Sequence, residues 1–187
     1  MTDLEVRDIR EDFPQLRRLI NGKPPIYLDN ACTTLRPEPV IRAMADHQRT
    51  TASCHGRAYH FFGREATEAY AGARRTVQGF LGASSPEEVL FVRNATEGLN
   101  LVARSLPLTP DDVVLTTNME HNSNLLPWQR LTRAGGARHR IIRMDVETGF
   151  DLDALRGELE RGVRLVSLFH VSNFSGIEAP VKEVCTL

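Results

Sequence analysis

Lysine and cysteine are both scarce in this chain of 187 residues. Among the 23 basic residues only Lys23 and Lys182 are lysines, so any chemistry that needs a lysine amine has two candidates. The three cysteines (Cys32, Cys54 and Cys185) are odd in number and irregularly spaced. That usage is typical of reduced thiols in a cytosolic protein rather than of a disulfide framework.

Several features that would indicate a particular partner or compartment are also missing. No uninterrupted apolar run approaches the roughly 20 residues that span a bilayer, and the acidic, polar segment 1–12 does not resemble a secretory signal. A formal net charge of −1 argues against nucleic acid or an anionic membrane as the main partner. The patterns G-x-G-x-x-G and G-x-x-x-x-G-K-[ST] do not occur, which disfavours dinucleotide and P-loop nucleotide binding. We therefore expect a cytoplasmic protein with no membrane or nucleic-acid partner.

What is present is a regular alternation of apolar strands and helices. Strands are expected at 88–92, 113–116, 140–144 and 163–169, and helices at 96–104, 125–133, 152–160 and from about Pro180. Alternation at this spacing predicts an α/β fold with a mostly parallel sheet and helices on both faces. It stops at Leu187 inside the last expected helix. Either the chain is part of a longer polypeptide or a partner completes the sheet.

The residues before this alternation are less regular. Helices are expected over 4–20 with a break near Pro14, after Pro37 and over 64–81, with a short strand at 26–28. The segment 50–63 has no clean period, yet it holds two histidines, an arginine and several aromatic residues. Its Cys54, His55 and His60 match no common zinc-ligand spacing, so no metal site is expected there.

One polar turn follows the expected strand 88–92, in the sequence FVRNATEGLN. The next helix is expected to begin near Thr96. Free backbone N–H groups and the positive end of the helix dipole bind anions at such a point, and a threonine hydroxyl adds a donor. Phosphate is therefore the expected ligand, and the alternative is that Thr96 only caps the helix.

Two further strands also end in polar residues. His121 lies in the segment LTTNMEHNSNLLPW, where an imidazole can stack on a flat ring or carry a proton. The alternative is that this histidine is simply an exposed polar residue of a loop. Asn173 lies in FHVSNFSG, where its amide can hydrogen-bond a ligand or merely form an Asx-turn. Because parallel strands place such ends at one edge of the sheet, Thr96, His121 and Asn173 are expected to converge on one ligand.

The motifs LDNACTT, VRNATEGLNLVA, MEHNSNLLPWQ and HVSN occur in this order over most of the chain. In their sequence and spacing they resemble the amino-terminal half of a pyridoxal-phosphate-dependent cysteine desulfurase, and the selenocysteine lyase branch of the class V aminotransferases equally. The resemblance implies the type I, aspartate-aminotransferase-like fold and a homodimer with active sites at the interface. It also implies an amino-acid substrate and a sulfur-accepting partner protein. On this basis residues 1–63 carry a helical segment with active-site and interface loops, and 64–187 begin the cofactor-binding large domain.

The resemblance assigns roles to a few positions. Thr96, with the backbone of Ala95, is expected to hold the phosphate of pyridoxal phosphate. His121 is expected to stack on the pyridine ring and to act in catalysis as a proton carrier. Asn173 is expected near the ring hydroxyl and the substrate carboxylate, and Ala31 near the substrate.

Other parts of the family's machinery have no counterpart in this sequence. The Ser-x-His-Lys motif that carries the Schiff-base lysine and the Asp-Gly-Ala-Gln motif do not occur. The chain alone is therefore expected to be inactive. Arg57 and His60 lie in a segment that relatives place near the dimer interface. Three alternatives stay open: another class V enzyme such as an epimerase or aminotransferase, a non-catalytic subunit completed by a partner chain, and a generic α/β domain without a cofactor.

Overall fold

The computed structural model of the protein describes residues 6–187. The chain divides into a first unit that ends at Leu90 and a second unit, Phe91–Leu187. The division does not test the predicted functional segments 1–63 and 64–187, which stay a prediction. No helix within the described range is both long and apolar enough to cross a bilayer.

The first unit is helical. It contains α1 (Val6–Glu11), a 3-10 turn (Pro14–Arg17), α2 (Glu38–Thr50), α3 (Phe61–Leu81) and a second 3-10 turn (Pro86–Glu88). The predicted break near Pro14 is confirmed, because the proline opens a new turn where its fixed φ is compatible and its missing N–H costs nothing. Leu4 and Glu5, the start of that predicted helix, lie outside the described residues. Helix α3 is capped at its carboxyl end by Gly82, which adopts a left-handed φ of 68°.

The second unit alternates strands and helices. Its elements are α4 (Ala95–Ser105), β1 (Val113–Thr117), α5 (Asn122–Arg133), β2 (Arg138–Ile142), β3 (Met144–Asp145), β4 (Gly149–Phe150), α6 (Leu152–Glu160), β5 (Leu165–Val166) and α7 (Val181–Thr186). Strands β2, β1 and β5 form a parallel sheet in that order, with Val114 opposite both His139 and Leu165. The predicted α/β fold with a parallel sheet is confirmed.

Strand β1 lies at the centre of this sheet, and all five of its residues are buried. Successive side chains of a strand point to opposite faces. Val114 accordingly packs in a cluster with Ala103 of α4 and Trp128 of α5. Leu115 packs in another cluster with Leu155 of α6, against which Val184 of α7 also lies. Helices α4 and α5 thus cover one face of the sheet, and α6 and α7 cover the other.

Two of the expected strands are wrong. Segments 26–28 and 88–92 join no ladder with any other described residue, and Ile26, Leu28 and Leu90 are exposed. An apolar run becomes a strand only when a neighbour takes up its backbone hydrogen bonds, and the run itself does not supply that neighbour. The small antiparallel pair β3–β4 was not expected, and β4 begins at Gly149, which has a φ of 80°.

Candidate functional site

Helix α4 begins one residue earlier than expected, at Ala95, and its cap is Asn94 rather than Thr96. The Asn94 side-chain oxygen accepts a hydrogen bond from the backbone N–H of Glu97 at 2.9 Å. Capping is therefore not the role of Thr96, whose hydroxyl makes no hydrogen bond to any residue in the range 6–187. The N–H groups of Ala95 and Thr96 belong to the first turn, where a helix offers them no internal acceptor. Two backbone donors and one hydroxyl are thus available at this helix start.

The charge next to this helix start is balanced by an ion pair. The Arg93 guanidinium lies 3.1 Å from the Glu97 carboxylate, which also accepts the backbone N–H of Arg93 at 2.6 Å. These hydrogen bonds from Arg93 lower the pKa of Glu97. The positive charge of Arg93 balances the negative charge of the Glu97 carboxylate, so the positive end of the α4 dipole can attract an anion.

His121 is the residue that caps helix α5, which begins three residues before the expected start. Its Nδ1 accepts the backbone N–H of Ser123 at 3.1 Å and lies 2.8 Å from the Ser123 hydroxyl. Because a backbone N–H can only donate, Nδ1 is the acceptor, and the neutral ring carries its proton on Nε2. The helix start therefore fixes both the orientation and the tautomer of His121, and its Nε2–H points away from the cap.

Asn173 lies in the turn between Val171 and Glu178, which pair in an antiparallel bridge. The turn is held by the buried Ser172, whose hydroxyl accepts the N–H groups of Phe174 (3.3 Å) and Ser175 (3.2 Å). The Asx-turn alternative is thus not what the structure shows. The Asn173 carboxamide is exposed and makes no hydrogen bond to a residue that the structure describes.

Two neighbouring cavities connect these three side chains through His121. Thr96 and His121 line a cavity of about 330 Å³ together with Asn100 and Arg130. His121 also lines a second cavity, of about 390 Å³, with Asn173. Both volumes lie in the lower range for small-ligand pockets. The structure therefore brings the predicted residues of the second unit to adjacent openings, although no one cavity is lined by all three.

The remaining predicted positions lie in the first unit. Ala31 is exposed in a turn closed by hydrogen bonds from the N–H groups of Cys32 and Thr33 to the carbonyl of Asp29. His60 caps α3 by accepting the N–H of Gly63 at 3.2 Å, and Arg57 lines a cavity of about 230 Å³ at the start of that helix. These local positions do not test the roles that the resemblance implies for Ala31, Arg57 and His60.

A hydrogen-bonded set of residues next to His121, of which Asn124 and Trp128 are buried, was not expected from the sequence. Asn124 and Trp128 lie one helical turn apart on α5, and the indole N–H donates to the Asn124 oxygen at 3.2 Å. Glu120 accepts the Asn124 amide at 2.8 Å. The spacing of these three residues at intervals of four was the available signal, but it could not reveal their partners Ser167 and Phe169 in the segment that follows β5.

Among the described residues, neither a set of side chains arranged to hold a metal ion nor a lysine lines these cavities. Within residues 6–187, no group of three or more His, Cys, Asp or Glu side chains is arranged to hold a metal ion. Lys23 lies in a bridge with Ile20 in the first unit, and Lys182 lies in α7. Neither lysine lines a cavity that contains Thr96, His121 or Asn173.

The sequence matches the class-V aminotransferase family over residues 26–187. The chain belongs to this family. It is 39% identical over 183 residues to a probable cysteine desulfurase of Synechocystis sp., covering 96% of the present chain. It is 38% identical over 182 residues to a cysteine desulfurase of Enterobacter sp.. The apo structure of a cysteine desulfurase from Thermococcus onnurineus superposes with a TM-score of 0.87 at 36% identity over 97% of the chain.

The structure of a second cysteine desulfurase gives the same picture. The cysteine desulfurase CsdA of Escherichia coli matches 96% of the chain with a TM-score of 0.79 at 27% identity. The predicted resemblance is thereby confirmed. The chain spans less than half the length of these relatives: 43% of the Synechocystis protein, 45% of the Enterobacter protein and 44% of the Thermococcus chain.

Proposed function

We propose that this chain is the amino-terminal part of a pyridoxal-phosphate-dependent cysteine desulfurase, which removes sulfur from cysteine and leaves alanine. The observation that carries the proposal is the placing of Thr96, His121 and Asn173 on adjacent cavities with a free hydrogen-bonding group on each. The cysteine desulfurases that match almost the whole chain support it independently.

The start of helix α4 fits a phosphate group. The hydroxyl of Thr96 and the N–H groups of Ala95 and Thr96 converge at a positive helix end, where an oxyanion gains both hydrogen bonds and dipole stabilisation. The Asn94 side chain accepts the next N–H group, that of Glu97, so only the first two residues of the helix can bind the anion through their backbone. In this proposal Ala95 contributes only its backbone.

His121 fits the role of a ring contact and proton carrier. It lines both cavities, so a flat ligand whose phosphate reaches Thr96 would extend along the imidazole. The Ser123 N–H holds Nδ1, which leaves Nε2 as the atom that holds or moves a proton. Asn173 then offers a carboxamide to the far side of the ligand, where it can bind the ring hydroxyl or the carboxylate of an amino acid.

When bound, pyridoxal phosphate supplies an aldehyde carbon that joins the substrate's amino group and an aromatic ring that accepts electrons. The described residues bind and orient, but a lysine amine to hold the aldehyde is not among the groups that line the cavities. We therefore propose that the 187-residue chain alone binds the cofactor without turnover. The rest of the machinery would come from the part of the family fold that this chain does not span.

The finer features implied by the resemblance belong to this proposal too. They are a role for Ala31 at the amino-acid substrate, acceptance of selenocysteine as well as cysteine, a homodimer with shared active sites, a sulfur-accepting partner protein and a cytoplasmic location. Sedimentation of the natural polypeptide would report the dimer, and parallel assays with cysteine and selenocysteine would report the substrate preference.

The deciding experiment is a pyridoxal phosphate titration of the natural polypeptide that contains this chain, followed by the visible absorption of bound cofactor and by alanine release from cysteine. Thr96→Val keeps the side-chain shape but removes the hydroxyl. Loss of one hydrogen bond to a charged group should weaken cofactor binding by about tenfold or more. Thr148→Val is the matched control, since the Thr148 hydroxyl has no hydrogen-bond partner among residues 6–187 and lines a different cavity. Equal affinities for wild type and Thr96→Val, or no alanine from cysteine, would refute the proposal.

A further inference from the structure

Glu120 occupies the junction between strand β1 and helix α5, immediately before His121 in the chain. Its Oε1 accepts the Thr117 hydroxyl at 2.8 Å and the backbone N–H of Phe169 at 3.2 Å. Its Oε2 accepts the Asn124 amide at 2.8 Å. One carboxylate therefore joins the end of β1, the first turn of α5 and the segment that leaves β5.

The contacts continue into the interior through Asn124. The Asn124 side-chain oxygen accepts the Trp128 indole N–H at 3.2 Å and the Ser167 hydroxyl at 2.6 Å. Asn124 is 7% exposed and Trp128 is 1% exposed, so these bonds are shielded from water. Buried, fully paired polar groups of this kind hold their segments in one arrangement, because breaking any one bond leaves another polar group without a partner.

The position of Glu120 requires a side chain that accepts hydrogen bonds and donates none. All three groups that face Glu120 are donors: a hydroxyl, a side-chain amide and a backbone N–H. An ionised carboxylate accepts at both oxygens and donates nothing, whereas the amide of glutamine would turn an N–H₂ toward one of those donors. No ion pair within residues 6–187 includes Glu120, so its hydrogen bonds and not a neighbouring cation hold the carboxylate in place.

The junction also sets the distance between two predicted ligand contacts. His121 follows Glu120 directly, and Asn173 lies four residues after Phe169, whose N–H Glu120 binds. Glu120, His121 and Asn173 all line the same cavity of about 390 Å³. Any shift of α5 relative to the segment after β5 would move His121 away from Asn173.

We propose that Glu120 is a positioning residue that fixes the His121 imidazole relative to the Asn173 carboxamide on either side of the bound cofactor and substrate. The inference rests on the proposed function and extends it to Glu120, which lines the same cavity beside His121. It acts through its hydrogen bonds to Asn124 and Phe169 rather than by contact with the reacting atoms. A purely structural carboxylate would affect stability but would leave the cofactor's environment in the folded protein unchanged.

The test compares Glu120→Gln with Glu160→Gln in the natural polypeptide. Glu160 is an exposed glutamate at the end of α6, outside the junction, and its variant is the matched control. Three properties are measured: the visible circular dichroism per bound pyridoxal phosphate, the KM and kcat for cysteine, and hydrogen exchange of peptides that cover 117–124 and 165–173. Thermal midpoints are recorded alongside them.

For Glu120→Gln we expect an altered visible dichroism, a KM for cysteine raised by about tenfold, and amide exchange at least about tenfold faster in both peptides. Glu160→Gln should match wild type in all of them. A Glu120→Gln protein with a lower thermal midpoint but with wild-type dichroism, KM and exchange would overturn the inference. If this variant does not fold, Ser167→Ala removes one bond from the same junction and is judged by the same outcomes.

Failure of the proposed function would look different. It would show as absence of cofactor binding by the wild-type protein. In that case the exchange data of the unliganded protein still decide the role of Glu120. Faster exchange in both peptides of Glu120→Gln supports the junction, and unchanged exchange refutes it.

Discussion

Asn124→Ala is the sharpest test of the polar interior of the second unit. The substitution removes three hydrogen bonds: one to Glu120, one from Trp128 and one from Ser167. Ser167 can turn its hydroxyl elsewhere, and Glu120 keeps Thr117 and Phe169 as donors. The Trp128 indole N–H has no such alternative, because the side chain is 1% exposed and no other acceptor bonds it. Leaving a buried donor unpaired and breaking a bond to a carboxylate together cost about 3 kcal/mol.

A loss of about 3 kcal/mol is a large part of the 5–15 kcal/mol that stabilises a typical domain. With a urea slope of about 2 kcal/mol/M, it should lower the unfolding midpoint by about 1.5 M without changing the slope. Far-ultraviolet circular dichroism during urea unfolding provides the assay. Gln129→Ala serves as the control, since it truncates another amide on α5 whose side chain has no hydrogen-bond partner within residues 6–187. A midpoint for Asn124→Ala equal to that of Gln129→Ala would refute the reasoning.

Three further predictions concern stability. Leu155→Ala, at a side chain that is 0% exposed, should destabilise the protein by about 2–5 kcal/mol, whereas Leu126→Ala, at a 55% exposed position, should cost far less in the same urea assay. Burial lowers the pKa of His139. Since the unfolded chain then binds the proton more readily, the free energy of unfolding should fall as the pH drops below about 6.5. For His139→Gln, the free energy of unfolding should depend less on pH between about pH 5 and about pH 8. The hydrogen bond from Arg140 lowers the pKa of Glu158. Wild type should therefore be more stable than Glu158→Gln by about 1 kcal/mol or less above about pH 4.3. This difference in the free energy of unfolding should vanish as the pH falls through the lowered pKa. A constant difference between these two proteins across that range would contradict the ion-pair account.

The parts of the fold that the sequence predicted well are those with local causes. Strand β1 was expected because a continuous apolar run is typical of a strand buried on both faces, and the structure shows all five of its residues buried. Helix α6 has the expected bounds, and the structure shows that Asp151 caps it. The start of α5 was missed since an imidazole caps it, and sequence rules look for Ser, Thr, Asp or Asn there. The false strand at 88–92 has the right composition but no partner in the described part of the chain, and pairing is a non-local property.

The candidate site divides in the same way. Its residue types, Thr96, His121 and Asn173, could be selected because each follows an apolar run and belongs to a motif. The local hydrogen bonds around these residues could not be predicted from the sequence, because they depend on which neighbouring side chain makes each bond. Asn94 rather than Thr96 caps α4, and Ser172 rather than Asn173 holds its turn. Because Asn94 and Ser172 make these local hydrogen bonds, the side chains of Thr96 and Asn173 can bind a ligand.

The most direct test of the account is a crystal structure of the natural polypeptide with pyridoxal phosphate bound. We expect the phosphate to lie within hydrogen-bonding distance of the Thr96 hydroxyl and of the backbone N–H groups of Ala95 and Thr96. The pyridine ring should lie against His121, with Asn173 at its far edge. A cofactor bound elsewhere, or a ring that contacts neither His121 nor Asn173, would contradict it.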